Sequence, residues 1–217
     1  MDLEIRGKTV LITGGSKGIG LAAAKGFAAE GCDLHLTSRT ADDLQAAKGI
    51  IEQAHGVAVT VHPMDLSVQG NVAALAAAVG EIDILVNNAG AIPGGDVAAI
   101  DEARWRAAWD LKVFGYINMT RHFLGAMTAR GHGVIVNVVG LAGERPDANY
   151  VAGSAGNASL MAFTRAIGST SLDKGVRVLA VNPCPGETDR ITTLLRTRPD
   201  TDFGDPDRWR DLAAKLP

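Results

Sequence analysis

Short apolar runs rich in β-branched residues alternate along this chain with longer, alanine-rich segments. Thr9-Val10-Leu11-Ile12 precedes a helical pattern over 20–29, and the run 33–37 precedes another over 41–55. This is the rhythm of strands feeding helices. It continues with a strand at 57–61, a helix at 68–79, a strand at 82–86, a long helix at 105–130, a strand at 133–139, a helix at 150–172 and a strand at 176–181. Six strands alternating with five helices predict an α/β fold with a parallel sheet covered on both faces. Continuous apolar runs such as Ile84-Leu85-Val86 and Val134-Ile135-Val136 suit strands buried on both sides. From Thr188 onward the chain is polar and mixed, and Pro199, Gly204 and Pro206 break it into a loop and short helices.

Composition narrows the field. A length of 217 residues, 47% of them hydrophobic, suits one domain with a continuous core. The formal charge of -3 and the scattered Lys and Arg leave no basic footprint for nucleic acid or an anionic membrane surface. Small molecules are the expected partners. The charged start, Met1-Asp2-Leu3-Glu4-Ile5-Arg6, is unlike a secretory leader, so a cytoplasmic location is expected. Cys32 and Cys184 are expected as free thiols, and the five His lack helical metal-ligand spacing, so no metal is expected.

The strongest local signal is Thr13-Gly14-Gly15-Ser16-Lys17-Gly18-Ile19-Gly20, which follows the first strand and opens the first helix. Glycines permit a tight turn and close backbone approach, and the helix N-terminus offers N–H groups and partial positive charge to a pyrophosphate. The second strand ends in Thr37-Ser38-Arg39, with no carboxylate to receive a ribose 2′-hydroxyl. Arg39 suits a 2′-phosphate, and Lys17 adds a second positive charge, so NADP(H) is expected in preference to NAD(H). A plain solvated loop charge is the alternative for Arg39.

Three further motifs fall at strand ends: Asp65-Leu66, Asn87-Asn88-Ala89-Gly90 and Asn182-Pro183. With the glycine loop, they make residues 7 to 191 resemble the short-chain dehydrogenase/reductases. The resemblance implies a doubly wound, Rossmann-like parallel sheet with helices on both faces, forming one dinucleotide-binding domain over 1–217. It implies that Asp65 and Leu66 lie near the adenine, that Asn88, Ala89 and Gly90 run along the ribose, and that Pro183 and Thr188 lie beside the nicotinamide. It also implies a homodimer, through the helices at 105–130 and 150–172, or a higher homo-oligomer, and a substrate lid in 188–217, where Trp209, Leu212 and Leu216 offer an apolar stripe for it or for packing.

Members of that family use a Tyr, a Lys four residues later, a Ser and an Asn. With the register set by Phe163-Thr164-Arg165, those positions fall on Gly153, Asn157, Gly140 and Lys112. Glycine has no proton to give, and Asn157 has no charge with which to lower a phenol's pKa. Tyr150 lies three residues before Gly153, on the same helical face, and Lys112 carries a positive charge. The two are candidate catalytic residues displaced from the usual positions. The alternative is that Tyr150 packs at the helix start and Lys112 is solvated or paired with Asp110 or a nearby carboxylate. Two functions follow: an oxidoreductase acting on a carbonyl or alcohol through non-standard residues, or a nicotinamide-dinucleotide-binding protein without that chemistry, serving as a sensor or partner subunit.

Overall fold

The computed structural model describes residues 3–184. Among them, six parallel strands form one sheet: β1 (Thr9–Thr13), β2 (Asp33–Ser38), β3 (Val59–Pro63), β4 (Ile84–Asn87), β5 (Gly133–Val138) and β6 (Val176–Val181). Their spatial order is β3-β2-β1-β4-β5-β6, so the sheet is wound in two directions from β1. The expected doubly wound, Rossmann-like architecture is what the chain adopts. The strand order reverses between β1 and β4, the point whose carboxyl ends hold the ligand in open sheets of this kind.

Side-chain alternation along the strands sorts the helices onto two faces. Val10, Ile12, Leu34 and Leu36 pack with Ala24 and Ala28 of α1 (Gly18–Ala29) and with Leu44 and Ile51 of α2 (Ala41–His55). On the opposite face Leu11, Leu85 and Ile135 meet Leu75 of α3 (Asn71–Val79) and Met119, Phe123 and Met127 of α5 (Gly115–Arg130). A third cluster, including Val139, Leu160 and Met161, seats α6 (Val151–Ser171) on the same side.

The strand expected at 82–86 runs from Ile84 to Asn87 and the helix expected from 20 starts at Gly18, and three further differences have a local reason. β3 runs from Val59 to Pro63 rather than over 57–61, because the Ala58 N–H is taken by the Asp33 carboxylate and pairing with β2 extends to Ser38. α3 begins at Asn71 rather than at 68. Gly70 before it has φ of 90°, a left-handed conformation that a helix cannot include. The long helix expected at 105–130 is divided into α4 (Glu102–Trp109), a π-helical turn (Asp110–Phe114) and α5. Such wide turns frequently mark functional positions, and this one carries Lys112.

Side chains also tie β2 to β3. His35 Nδ1 and His62 Nε2 lie 2.9 Å apart, and the Thr37 hydroxyl donates to the His62 carbonyl at 2.8 Å. Burial lowers the pKa of both imidazoles, and for His62 the neighbouring His35 lowers it further. A histidine whose pKa falls on folding contributes stability that is complete above its unfolded value of about 6.5 and is lost as pH falls through its lower folded value. The urea midpoint is therefore expected to drop as pH is lowered from about 7.5 to about 5. In the double variant His35→Gln/His62→Gln the drop should be shallower, and an equally steep fall would show that the pair is not its source.

Candidate functional site

The carboxyl ends of β1 and β4 are fastened to each other by side chains that bond to backbone. The Thr13 hydroxyl oxygen accepts from the Asn88 N–H at 2.9 Å and the Ala89 N–H at 3.0 Å. The Asn88 amide donates to the Thr13 carbonyl at 3.0 Å and the Gly14 carbonyl at 3.2 Å. Thr13 is the residue before the glycine loop, so the loop's position is set by a group that the glycine pattern does not include.

The glycines are required by close approach. Gly14 has φ of +67°, and a Cβ on Gly20 would land on the Gly14 carbonyl oxygen and lie 2.6 Å from the Asn88 amide. Ser16, Lys17, Gly18 and Ile19 lie between them as a solvent-facing arch that enters α1. Beside this arch, at the end of β2, the Ser38 hydroxyl is buried without a partner. Burying a hydroxyl unpaired typically costs about 1–3 kcal/mol. A glycine cradle, helix N–H groups and an orphaned hydroxyl next to Arg39 fit a phosphorylated dinucleotide.

Lys17, expected as a second positive charge, is paired. Its ammonium is 2.9 Å from the carboxylate of Asp43, in the first turn of α2. Arg39 is exposed and acts electrostatically on Asp65. Burial pushes the Asp65 carboxyl up, but the Ser67 hydroxyl and N–H together with Arg39 outweigh it and hold the carboxyl below its ordinary range. Leu66 is buried beside it, and Asn88, Ala89 and Gly90 line the next strand end half-buried. Pro183 follows β6, whereas Thr188 and the 188–217 segment, with Trp209, Leu212 and Leu216, fall outside the described residues.

The four positions singled out on the far side of the crevice converge. Lys112 Nζ donates to the Val138 carbonyl at 3.2 Å and the Val139 carbonyl at 2.8 Å, and lies 5.4 Å from the centre of the Tyr116 ring. Its aliphatic stem passes over Gly90, where a Cβ would lie 2.7 Å from Lys112 Cδ. Gly140 follows immediately, and a Cβ there would lie 3.0 Å from the Asn157 amide nitrogen. Asn157 is buried at 3% exposure, and its Oδ1 has no partner.

Tyr150 is the informative case. It stands at the N-cap of α6, and its backbone is pinned to the loop after β4, where the Gly95 N–H donates to Asn149 and the Val151 N–H donates to Gly95. From there its ring lies over Gly153. A Cβ on Gly153 would fall on ring carbons Cε1 and Cζ of Tyr150, so the aromatic ring occupies the volume that a side chain at 153 would fill. The Trp109 indole donates to the Ala152 carbonyl at 3.0 Å and holds this first turn against α4.

A buried polar chain fixes α6 against the sheet. Asn87 of β4 donates to Thr120 of α5 at 3.3 Å and to Asn137 of β5 at 2.9 Å, and Asn137 donates to Thr164 of α6 at 2.9 Å. Thr164 belongs to the Phe163-Thr164-Arg165 stretch that set the sequence register. Asp43, Trp109 and the Asn137–Thr164 bond belong to none of the sequence motifs. Only Asp43 had a signal, as an acid in the first turn of a helix beside a basic loop.

The family model for short chain dehydrogenase matches residues 8–199. The chain belongs to that family. Among curated relatives, an oxidoreductase of Bacillus subtilis named YvrD is 35% identical over 90% of this chain and 74% of its own length. A galactitol 2-dehydrogenase (L-tagatose-forming) of Cereibacter sphaeroides is 34% identical over 91% of this chain and 78% of its own. The crystal structure of L-sorbose reductase from Gluconobacter frateurii, in complex with NADPH and L-sorbose, superposes with a TM-score of 0.86 at 29% identity, covering 99% of this chain and 83% of that one. An NAD+-bound xylitol dehydrogenase shares the fold at a TM-score of 0.86 and 23% identity, over 94% of this chain and 82% of that one. Among the described residues no helix is long and apolar enough to cross a membrane, and no cluster of three or more metal-ligating side chains occurs.

The Gly20 contact yields a test. Gly20→Ala should weaken dinucleotide binding at least about tenfold in a fluorescence titration, because the methyl forces the Gly14 carbonyl or Asn88 aside. Gly26→Ala, in the same helix with open space around it, should leave binding unchanged and raise stability by about 0.5–1 kcal/mol.

Proposed function

We propose that this chain is an NADP(H)-dependent oxidoreductase that interconverts a carbonyl and an alcohol, with Tyr150 moving the proton and Lys112 supplying the adjacent positive charge. The observation that carries the proposal is the Tyr150 ring lying in the space of the side chain that Gly153 lacks. A phenol there is a proton donor where glycine offers none. Asn157 is neutral, so the charge that favours a phenolate has to come from elsewhere, and Lys112 is held by the carbonyls that lead into Gly140.

In this reading Gly14, Ser16, Lys17, Gly18, Ile19 and Gly20 hold the pyrophosphate. Ser38 and Arg39 take the 2′-phosphate, Asp65 and Leu66 the adenine, and Asn88, Ala89, Gly90 and Pro183 the ribose and nicotinamide. Bound NADPH supplies the hydride. Preference for NADP(H) is supported by the absence of a carboxylate at the end of β2 and by the NADPH named with L-sorbose reductase. The catalytic unit is taken to be a cytoplasmic homodimer built on the long helices.

Replacing Tyr150 with Phe should lower kcat by about 10²–10⁴ while the NADPH Kd stays constant, and unchanged turnover would remove Tyr150 from the chemistry. Gly153→Ala should lower kcat as well, since its methyl evicts the ring from the position it now holds. Lys112→Met should lower kcat with little change in the NADPH Kd, and unchanged turnover would remove the ammonium from the chemistry. If wild type binds NADPH and turns over no member of a ketone, aldehyde and alcohol panel, a sensor or partner-subunit role replaces the enzymatic one.

A further inference from the structure

The end of β2 gathers more charge than its sequence motif suggests. Two cations reach it, and each is matched by a carboxylate. Lys17, the N-cap of α1, is 2.9 Å from Asp43, and Arg39 acts on Asp65. Ser38, the last residue of the strand and the neighbour of Arg39, has a buried, partnerless hydroxyl. The Lys17–Asp43 pair bridges the N-termini of α1 and α2, with Asp43 the more buried partner at 29% side-chain exposure against 65%.

The two nicotinamide dinucleotides differ at one group, a neutral 2′-hydroxyl in one and a 2′-phosphate dianion in the other. A carboxylate close to that group is nearly indifferent to the hydroxyl and repels the dianion. We propose that Asp43 is a specificity-determining residue, which by neutralising Lys17 holds down the chain's preference for NADPH over NADH. The proposal rests on the NADP(H) reading above for the location of the phosphate. Lys17 supplies the attraction, Asp43 offsets it, and the preference is the difference between them. Through largely aqueous surroundings, one unit charge acting on a dianion a few ångströms away changes an affinity by about threefold to tenfold.

The test measures Kd for NADPH and for NADH by fluorescence titration in wild type, Asp43→Asn, Asp43→Ser and Asp42→Asn. Asp42 shares the first turn of α2 but is exposed and does not pair with Lys17, so it controls for helix-end charge in general. Both Asp43 variants should bind NADPH about threefold to tenfold more tightly, with NADH unchanged, and the gain should shrink as salt is raised. Asp42→Asn should show a smaller change. An unchanged or lower NADPH/NADH ratio in the Asp43 variants, or an equal gain from Asp42→Asn, overturns the proposal. The wild-type ratio reads the cofactor preference separately. Tighter NADH binding in wild type would overturn NADP(H) preference, whereas the ratio of variant to wild type still decides the role of Asp43.

Discussion

Everything at the crevice depends on the side-chain knot between Thr13 and Asn88. Parallel strands leave their carboxyl ends with unpaired backbone groups, and at a switch in winding direction two such ends diverge. Here the hydroxyl of Thr13 accepts two N–H groups from the β4 end while the Asn88 amide satisfies two carbonyls at the β1 end. The knot closes the gap and sets the loop at its turn. Gly20 then has to be glycine, because the space for its side chain is filled by the Gly14 carbonyl and the Asn88 amide.

The opposite wall is organised by volume. Residues 140 and 153 are glycines, yet neither position is empty: the Asn157 amide faces the first, and the Tyr150 ring fills the second. A glycine in the first turn of a helix is weakly unfavourable, by about 1 kcal/mol relative to alanine. The ring that packs over Gly153 compensates with contact area and brings a phenol with it. The α6 start holds this arrangement because Tyr150 is pinned through Gly95, and Trp109 ties the next turn to α4.

The sheet, its two helical layers and the glycine loop are legible in the sequence, because strands buried on both faces read as uninterrupted apolar runs and a phosphate loop needs glycines at fixed steps. Boundaries shifted where single residues act against the pattern, as the left-handed Gly70 does before α3. The π-turn at 110–114 leaves the apolar spacing of the helix almost unchanged, so periodicity does not reveal it. Tyr150 could be nominated from its spacing to Gly153, but the placement of its ring follows from the Gly95 bridge, a contact between distant segments that no local pattern encodes. The pairing of Lys17 with Asp43 is hidden for the same reason: the loop's charge is visible in sequence, while its neutralisation comes from another helix.

The polar chain from Thr120 through Asn87 and Asn137 to Thr164 crosses the interior from one helix to another. Sliding α6 by a single residue would take Thr164 from the buried Asn137 amide, so the helix behaves as a fixed rail. The loop from Glu144 to Asn149 is fastened locally instead, with the Asp147 N–H donating to the Ser154 hydroxyl and the Asn149 carbonyl accepting from the Gly95 N–H. Residues added to or removed from it change which side chain is delivered to the head of the rail while the rail itself stays still. A reactive group in such a fold is portable: its address is a volume above α6, and the length of the incoming loop decides which residue takes up residence there.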